Sequence, residues 1–218
     1  MTHTSLSNNL QTDRSINLHS MNRGEYISFS KKIKVDEYKS RKNGETVSLN
    51  FEIRFIDSSK FLQTSLANLV SNLQPSDFKN TNAIIKNNVG LLTQKGTDYY
   101  YYYYYYYYVS SIDKFSETRL PPKLEFYSRL NDEDISEEDY QHALNAWNTF
   151  NCKTIRDYHD LCLKSDVLLL ADVFENFRAS CLKRYNLDPA QYFTSPGLAW
   201  DAYLKETGQE LQLLHDYD

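Results

Sequence analysis

"EYISFSKKIKVDEYKSRKNGETVSLNFEIRFID", residues 25–57, is the stretch on which the fold turns. Apolar residues alternate through Ile27, Phe29, Ile33 and Val35, then more strictly through Val47, Leu49, Phe51, Ile53 and Phe55. A period of two sends successive side chains to opposite faces of an extended chain, so each run predicts a half-buried β-strand. Between the runs, Asn43-Gly44 suits a tight reversal with positive φ. Two strands joined this way are antiparallel.

After Asp57 the period lengthens. Leu62, Leu66, Leu69 and Leu73 recur at helical spacing and predict one helix over 58–73, ended by Pro75. Residues 76–124 read as loop, closing on "LPPK". A second helix is predicted from Ser136, where "SEED" forms a capping box with Asp139 in place of Glu, and it carries Tyr140, Leu144 and Trp147. A long third helix covers 154–185. A last one opens at "TSPGLAWDAYLKE", with Ser195 as N-cap and Pro196 at the first helical position. Strands first and helices after predict an α+β arrangement in which helices cover one face of an antiparallel sheet. Residues 1–24 are polar, rich in Ser, Asn and Thr, and are expected to be a disordered N-terminal segment.

Composition bounds the function. The 218 residues carry a net charge of −5, which excludes a basic surface over the whole molecule. A local basic patch remains in residues 23–42, with seven Lys/Arg against three acids. The acidic run at 131–139 reads as a solvated helix start. Cys152, Cys162 and Cys181 are scattered, without a CxxC, which argues against zinc and for a reducing compartment. The apolar run at 167–174 is interrupted by Asp172 and is too short to span a bilayer. With no signal-peptide core, the expectation is an intracellular, soluble chain without membrane contact. Ten of the nineteen tyrosines form one tract, Tyr99 to Tyr108, inside a low-complexity loop at 97–111. Nucleic-acid stacking platforms intersperse aromatics with cations, and the tract contains none, so it reads as a repeat-expanded loop.

The long helix holds the candidate chemistry. Asp157 and Asp160 stand in or beside its first turn, where the helix dipole accounts for them. Asp166 and Asp172 have apolar neighbours on both sides. A buried carboxylate is expensive without partners, so each should face a partner, a cleft or a metal.

The block "YHDLCLKSDVLLLADVFENFR" (158–178), followed by "LDPAQYFTSPGLAWDAYLKETG" (187–208), resembles protein-primed family B DNA polymerases of transposon and viral type. The likeness continues through 119–160 and "FIDSSKFLQTSLANLVSNL" (55–73), and spans residues 25–218. The resemblance implies part of a 3′–5′ exonuclease domain of ribonuclease-H-like fold over 25–185, with 186–218 leading towards a polymerase palm. It implies DNA-directed DNA synthesis in replication, with Mg²⁺ as cofactor. DNA with a single-stranded 3′ end and deoxynucleotides would be the partners, and a priming protein would serve the parent enzyme.

Site residues carry over only where the motifs match. The family's third exonuclease motif is Tyr-x-x-x-Asp on a helix, matched here by residues 162–166. Asp166 takes the metal-binding place, and Cys162 replaces the tyrosine that helps orient the attacking water. A thiol is shorter and a weak hydrogen-bonding group. The family's Ser/Thr-Leu-x-x-hydrophobic motif, which contacts the single-stranded 3′ end, matches Ser65, Leu66 and Leu69. Lys95-Gly96 precedes the tyrosines where relatives carry a short Tyr-Pro-Tyr segment. The Asp-x-Glu and Asn-to-Asp motifs are expected before residue 25, where Asp13 is the only acid, and the palm motifs are expected after Asp218. Two-cation phosphodiester hydrolysis needs several carboxylates around metals about 3.5–4 Å apart. One aspartate is insufficient, so the chain taken alone is expected to be inactive. The competing reading is a catalytically dead, element-derived domain that at most binds single-stranded DNA or a protein.

Overall fold

The computed structural model describes residues 16–22, 25–39, 44–93, 112–126 and 134–211. In chain order these form strands β1 (Ile16–Asn22), β2 (Glu25–Lys39) and β3 (Thr46–Ile56). Helices follow: α1 (Leu66–Val70), α2 (Lys79–Ile84), α3 (Val89–Leu92), α4 (Glu137–Thr149), α5 (Ile155–Tyr185) and α6 (Ser195–Thr207). The class is mixed α+β. The chain divides into two units, Met1–Gln63 with Cys181–Asp218, and Thr64–Ser180.

In the first unit the sheet is antiparallel with order β1-β2-β3. Phe29 pairs with Phe55, and their rings stack at 4.3 Å. Below them Lys31 pairs with Ile53 and Ile33 with Phe51. A bulge between Lys34 and Asp36 then inserts Val35, so that Asp36 lies opposite Leu49 and Tyr38 opposite Val47. The extra residue keeps the apolar row on one face although the alternation of β2 breaks after Val35. The ladder ends at Lys39 and Thr46, and Gly44 has a φ of 72°, the left-handed conformation a reversal needs. Asn43 lies outside the described residues. β1 is a strand where only polar, irregular chain was expected. Its register shifts at His19/Ser20 and Ser20/Asn22, and only Ile16 and Leu18 alternate in it, too few to signal a strand.

The base of the sheet is held by the C-terminal segment. Arg54 donates to the carbonyl of Ala190 and lies 5.3 Å from the centre of the Phe193 ring. Ser195 donates to the carbonyls of Lys60 (2.7 Å) and Phe61 (3.3 Å). Its hydroxyl is thereby committed, and the N-cap of α6 is Thr194 rather than Ser195. Gly208, at φ 64°, closes α6 by donating to Leu204 O. These bonds place residues 186–208 with the sheet.

Helices covering a whole face of the sheet were also expected. Instead, residues 31–39 and 44–53 are exposed throughout. Ser28 and Ser30, at the base, are buried, and Ser30 donates to Glu52 Oε1 at 2.5 Å.

The second unit has its own core of Leu120, Phe126, Ile135, Ala146, Ile155 and Tyr158, among others. Ser136 caps α4 as the sequence indicated, accepting from Asp139 N at 3.0 Å and donating to Asp139 Oδ2 at 2.6 Å. Asn151, at φ 53°, turns the chain into α5. There Thr154 and Asp157 cap reciprocally. Asp157 Oδ2 accepts from the amides of Lys153 and Thr154, both at 3.0 Å, and Thr154 Oγ1 accepts from Asp157 N at 3.3 Å.

The single helix expected over 58–73 does not form. Asp57 caps a 3-10 turn at Ser58–Lys60, and Ser65 restarts the chain as N-cap of the short α1. Ser71 and Asn72 then donate to Asn68 O, each at 2.8 Å. Short polar side chains that bond nearby backbone compete with helix propagation. Among its described residues the stretch read as loop holds α2, α3 and a 3-10 turn at Ile112–Ser116, and two further 3-10 turns, Pro75–Asp77 and Lys123–Phe126, overlap its ends. The tyrosine tract and Lys95-Gly96 lie outside the described residues. Among the described residues no helix is long and apolar enough to cross a membrane.

Candidate functional site

Cys162 and Asp166 stand one turn apart on α5, which places them on one side of that helix. Cys162 is half-buried and packs against the core of the second unit. Asp166 is half-buried, one position after the buried Ser165. The element therefore presents the candidate carboxylate at the edge of the core, with a thiol where a phenol would reach further.

Asp172, the other carboxylate flagged by its apolar setting, is 1 % exposed and fully engaged. Oδ1 accepts from Asn80 N (2.7 Å) and Asn80 Nδ2 (2.9 Å). Oδ2 accepts from Thr81 N (3.0 Å) and Thr81 Oγ1 (2.6 Å). Asn80 and Thr81 open α2, whose own N-cap residue, Phe78, has no side-chain acceptor. Asp172 thus supplies from α5 the acceptor that the first turn of α2 lacks, and the positive end of α2 favours its charge. A carboxylate with four donors is a structural anchor. Asn80 and Thr81 carry no signal in the sequence that would name them as its partners.

A cleft of about 500 Å³ lies beside this anchor, lined by Asp77, Lys79, Asn80, Glu175 and Asn176 among others. Its acids are already occupied. Asp77 accepts from Gln74 N at 2.8 Å, and Glu175 pairs with Arg178 at 3.3 Å. Asp157 is held below the ordinary aspartate range by the Lys153 amide first, then by the hydroxyl and amide of Thr154. Asp160 is exposed beside His159. Among the described residues, no three His, Cys, Asp or Glu side chains converge on a point where a cation would sit.

The candidate strand-contact residues stand on other elements. Ser65 is exposed and accepts from Asn68 N at 3.3 Å, while Leu66 and Leu69 are half-buried on α1. The motif's hydroxyl thus serves as a helix cap, and its leucines are half-buried on a five-residue helix. In the first unit, Lys31, Lys32, Lys34 and Lys39 are all exposed on β2, with Lys34 paired to Glu37. Arg23, Arg41 and Lys42 lie outside the described residues.

No family model, no curated protein and no solved structure matches this chain.

Proposed function

We propose that this chain is part of a family B DNA polymerase of the protein-primed type, covering a portion of its 3′–5′ exonuclease domain. The observation that carries the proposal is the pair of sequence blocks at 158–178 and 187–208, the first of which holds the Cys162-to-Asp166 match. The fold is read as a partial ribonuclease-H-like domain on the same ground. In the polymerase, Asp166 would be one of several metal-binding carboxylates, Cys162 would stand near the attacking water, and Ser65 with Leu66 would meet the single-stranded 3′ end. Mg²⁺ would supply charge neutralisation at the transferred or cleaved phosphate. DNA and deoxynucleotides are the substrates on this reading, and a priming protein would serve the enzyme as a whole.

One observation favours a second reading, a catalytically silent domain that retains single-strand contact. Asp172, the other acid in an apolar setting, is consumed by the donors of Asn80 and Thr81 as a structural anchor.

Binding and turnover separate the two readings. The purified chain is mixed with a labelled single-stranded oligonucleotide, and anisotropy is recorded over a salt series, followed by primer-extension and 3′-degradation assays with Mg²⁺ or Mn²⁺. Single-strand affinity that falls steeply with salt is expected on either reading. Its absence would remove the nucleic-acid assignment. Metal-dependent degradation lost in Asp166→Ala would establish the enzymatic reading over the silent one.

A further inference from the structure

β2 is fifteen residues long, and at about 3.3 Å per residue it extends roughly 50 Å. A 100-residue body has a radius of gyration of only about 13 Å, so such a strand outruns it. Burial shows the consequence. The base of the ribbon at Ser28 and Ser30 is buried, whereas residues 31–39 and 44–53 are exposed on both faces.

Those two faces differ in chemistry. Cross-strand register puts Lys32 with Glu52, Lys34 with Asn50 and Glu37 with Ser48 on one face. The other face carries Ile33 with Phe51, the bulged Val35, Leu49, Tyr38 with Val47, and Ile53 and Phe55 towards the base. Val35 is 65 % exposed, Phe51 60 % and Leu49 53 %. Eight large apolar residues exposing on the order of 80–100 Å² each leave about 700 Å² uncovered. The largest apolar patch of an ordinary monomer is about 300–600 Å². An isolated two-stranded ribbon is also only marginally stable in water.

We infer that this apolar face is a self-association surface, and that its occupant is the same face of a second copy of the chain. The uncovered area approaches the roughly 800 Å² that each partner contributes to a stable complex. Charge on the face is also self-complementary. Lys31 stands opposite Ile53 on one side of Ile33, and Asp36 stands opposite Leu49 on the other. A two-fold axis through the Ile33–Phe51 pair sets Lys31 of each copy over Asp36 of the other, with Phe51, Leu49 and Val35 between. Two ribbons stacked this way lie about 10 Å apart, the spacing of packed sheets, with their charged faces outward.

Sedimentation velocity from about 1 to 100 µM tests it. The chain is expected to be a dimer at the upper end. Leu49→Lys combined with Phe51→Lys should weaken association at least about 100-fold, as loss of central apolar contacts does, with the circular dichroism spectrum unchanged. Asn50→Lys, on the charged face, should leave the dimer intact. Should the double variant fail to fold, hydrogen exchange on the unaltered chain decides, because protection over 31–39 and 46–55 must rise with concentration. A monomer throughout the range, or a dimer indifferent to the double substitution, would overturn the inference. So would open-ended growth through the outer edge of β3, co-purified nucleic acid in place of the second copy, or protection that ignores concentration.

Discussion

Asp172 Oδ2 accepts from both the amide and the hydroxyl of Thr81, ninety-one positions earlier, at 3.0 and 2.6 Å. The pair fixes the first turn of α2 to the middle of α5 inside the second unit. Asp172→Ala would leave the amide and hydroxyl of Thr81 without their acceptor in a buried place, while Asn80, which is exposed, can turn to water. Each such orphan costs about 1–3 kcal/mol, and partial relaxation brings the expected loss to roughly 2–4 kcal/mol. Asp172→Asn keeps one acceptor oxygen and should cost less. Urea unfolding checks both, and an Ala variant as stable as the parent would show that the donors find other partners.

The acid limb of stability should depend on Asp157. Amides of Lys153 and Thr154, with the Thr154 hydroxyl, hold its carboxyl below the ordinary aspartate value of about 3.9. A carboxyl depressed on folding contributes stability that is complete above its unfolded value. That contribution is lost as pH falls through the lowered folded value. The thermal midpoint of the unaltered chain should therefore drop more steeply below about pH 4 than that of Asp157→Asn. Melting curves between about pH 6 and pH 2 read this directly. Parallel curves for the two chains would contradict the capping account.

Thiol reactivity should follow burial. Burial pushes the Cys152 thiol up to about 11, with the Asp157 carboxylate adding to the effect, and burial raises Cys181 as well. At pH 8 Cys152 would hold roughly one thiolate in a thousand molecules. Cys162 is the least buried of the three. Iodoacetamide on the folded chain should label Cys162 first, with Cys152 and Cys181 following only on unfolding. Peptide mass spectrometry that found Cys152 alkylated as fast as Cys162 would count against the packing around it.

What the sequence showed plainly was local. Alternation through Val47 to Phe55 marked β3, and the Ser136 cap and the start of α5 at Ile155 lay where the spacing put them. Features set by distant partners were hidden. Ser195 looks like an N-cap, yet its hydroxyl is taken by Lys60 O, 135 positions away, which moves the cap to Thr194. Asp172 looks like a site residue because nothing nearby in sequence explains a buried acid, and its explanation stands at Asn80 and Thr81. The leucine spacing over 58–73 was correct for packing but silent on Ser65, Ser71 and Asn72, whose local bonds divide the helix. Cys162 and Asp166 were legible as a pair because a single helix carries both. Side chains that would join them from elsewhere were not, because converging groups come from separate elements.

Placing at position 162 the phenol that the proposed family carries should not create nuclease activity. Cys162 packs against the core formed by Ile155, Tyr158 and their neighbours, so Cys162→Tyr adds a ring where a small thiol fits. Overpacking of that kind costs about 1–3 kcal/mol. Even if the ring turned outward, a phenol at 162 adds no metal-binding carboxylate, and two-cation hydrolysis needs several. The expected outcome is a destabilised chain that, like the parent, neither extends a primer nor shortens a single-stranded 3′ end in Mg²⁺ or Mn²⁺. Denaturant midpoints with a gel-based nuclease assay measure both halves. Nuclease activity gained in Cys162→Tyr and abolished by a further Asp166→Ala would mean that other carboxylates reach Asp166.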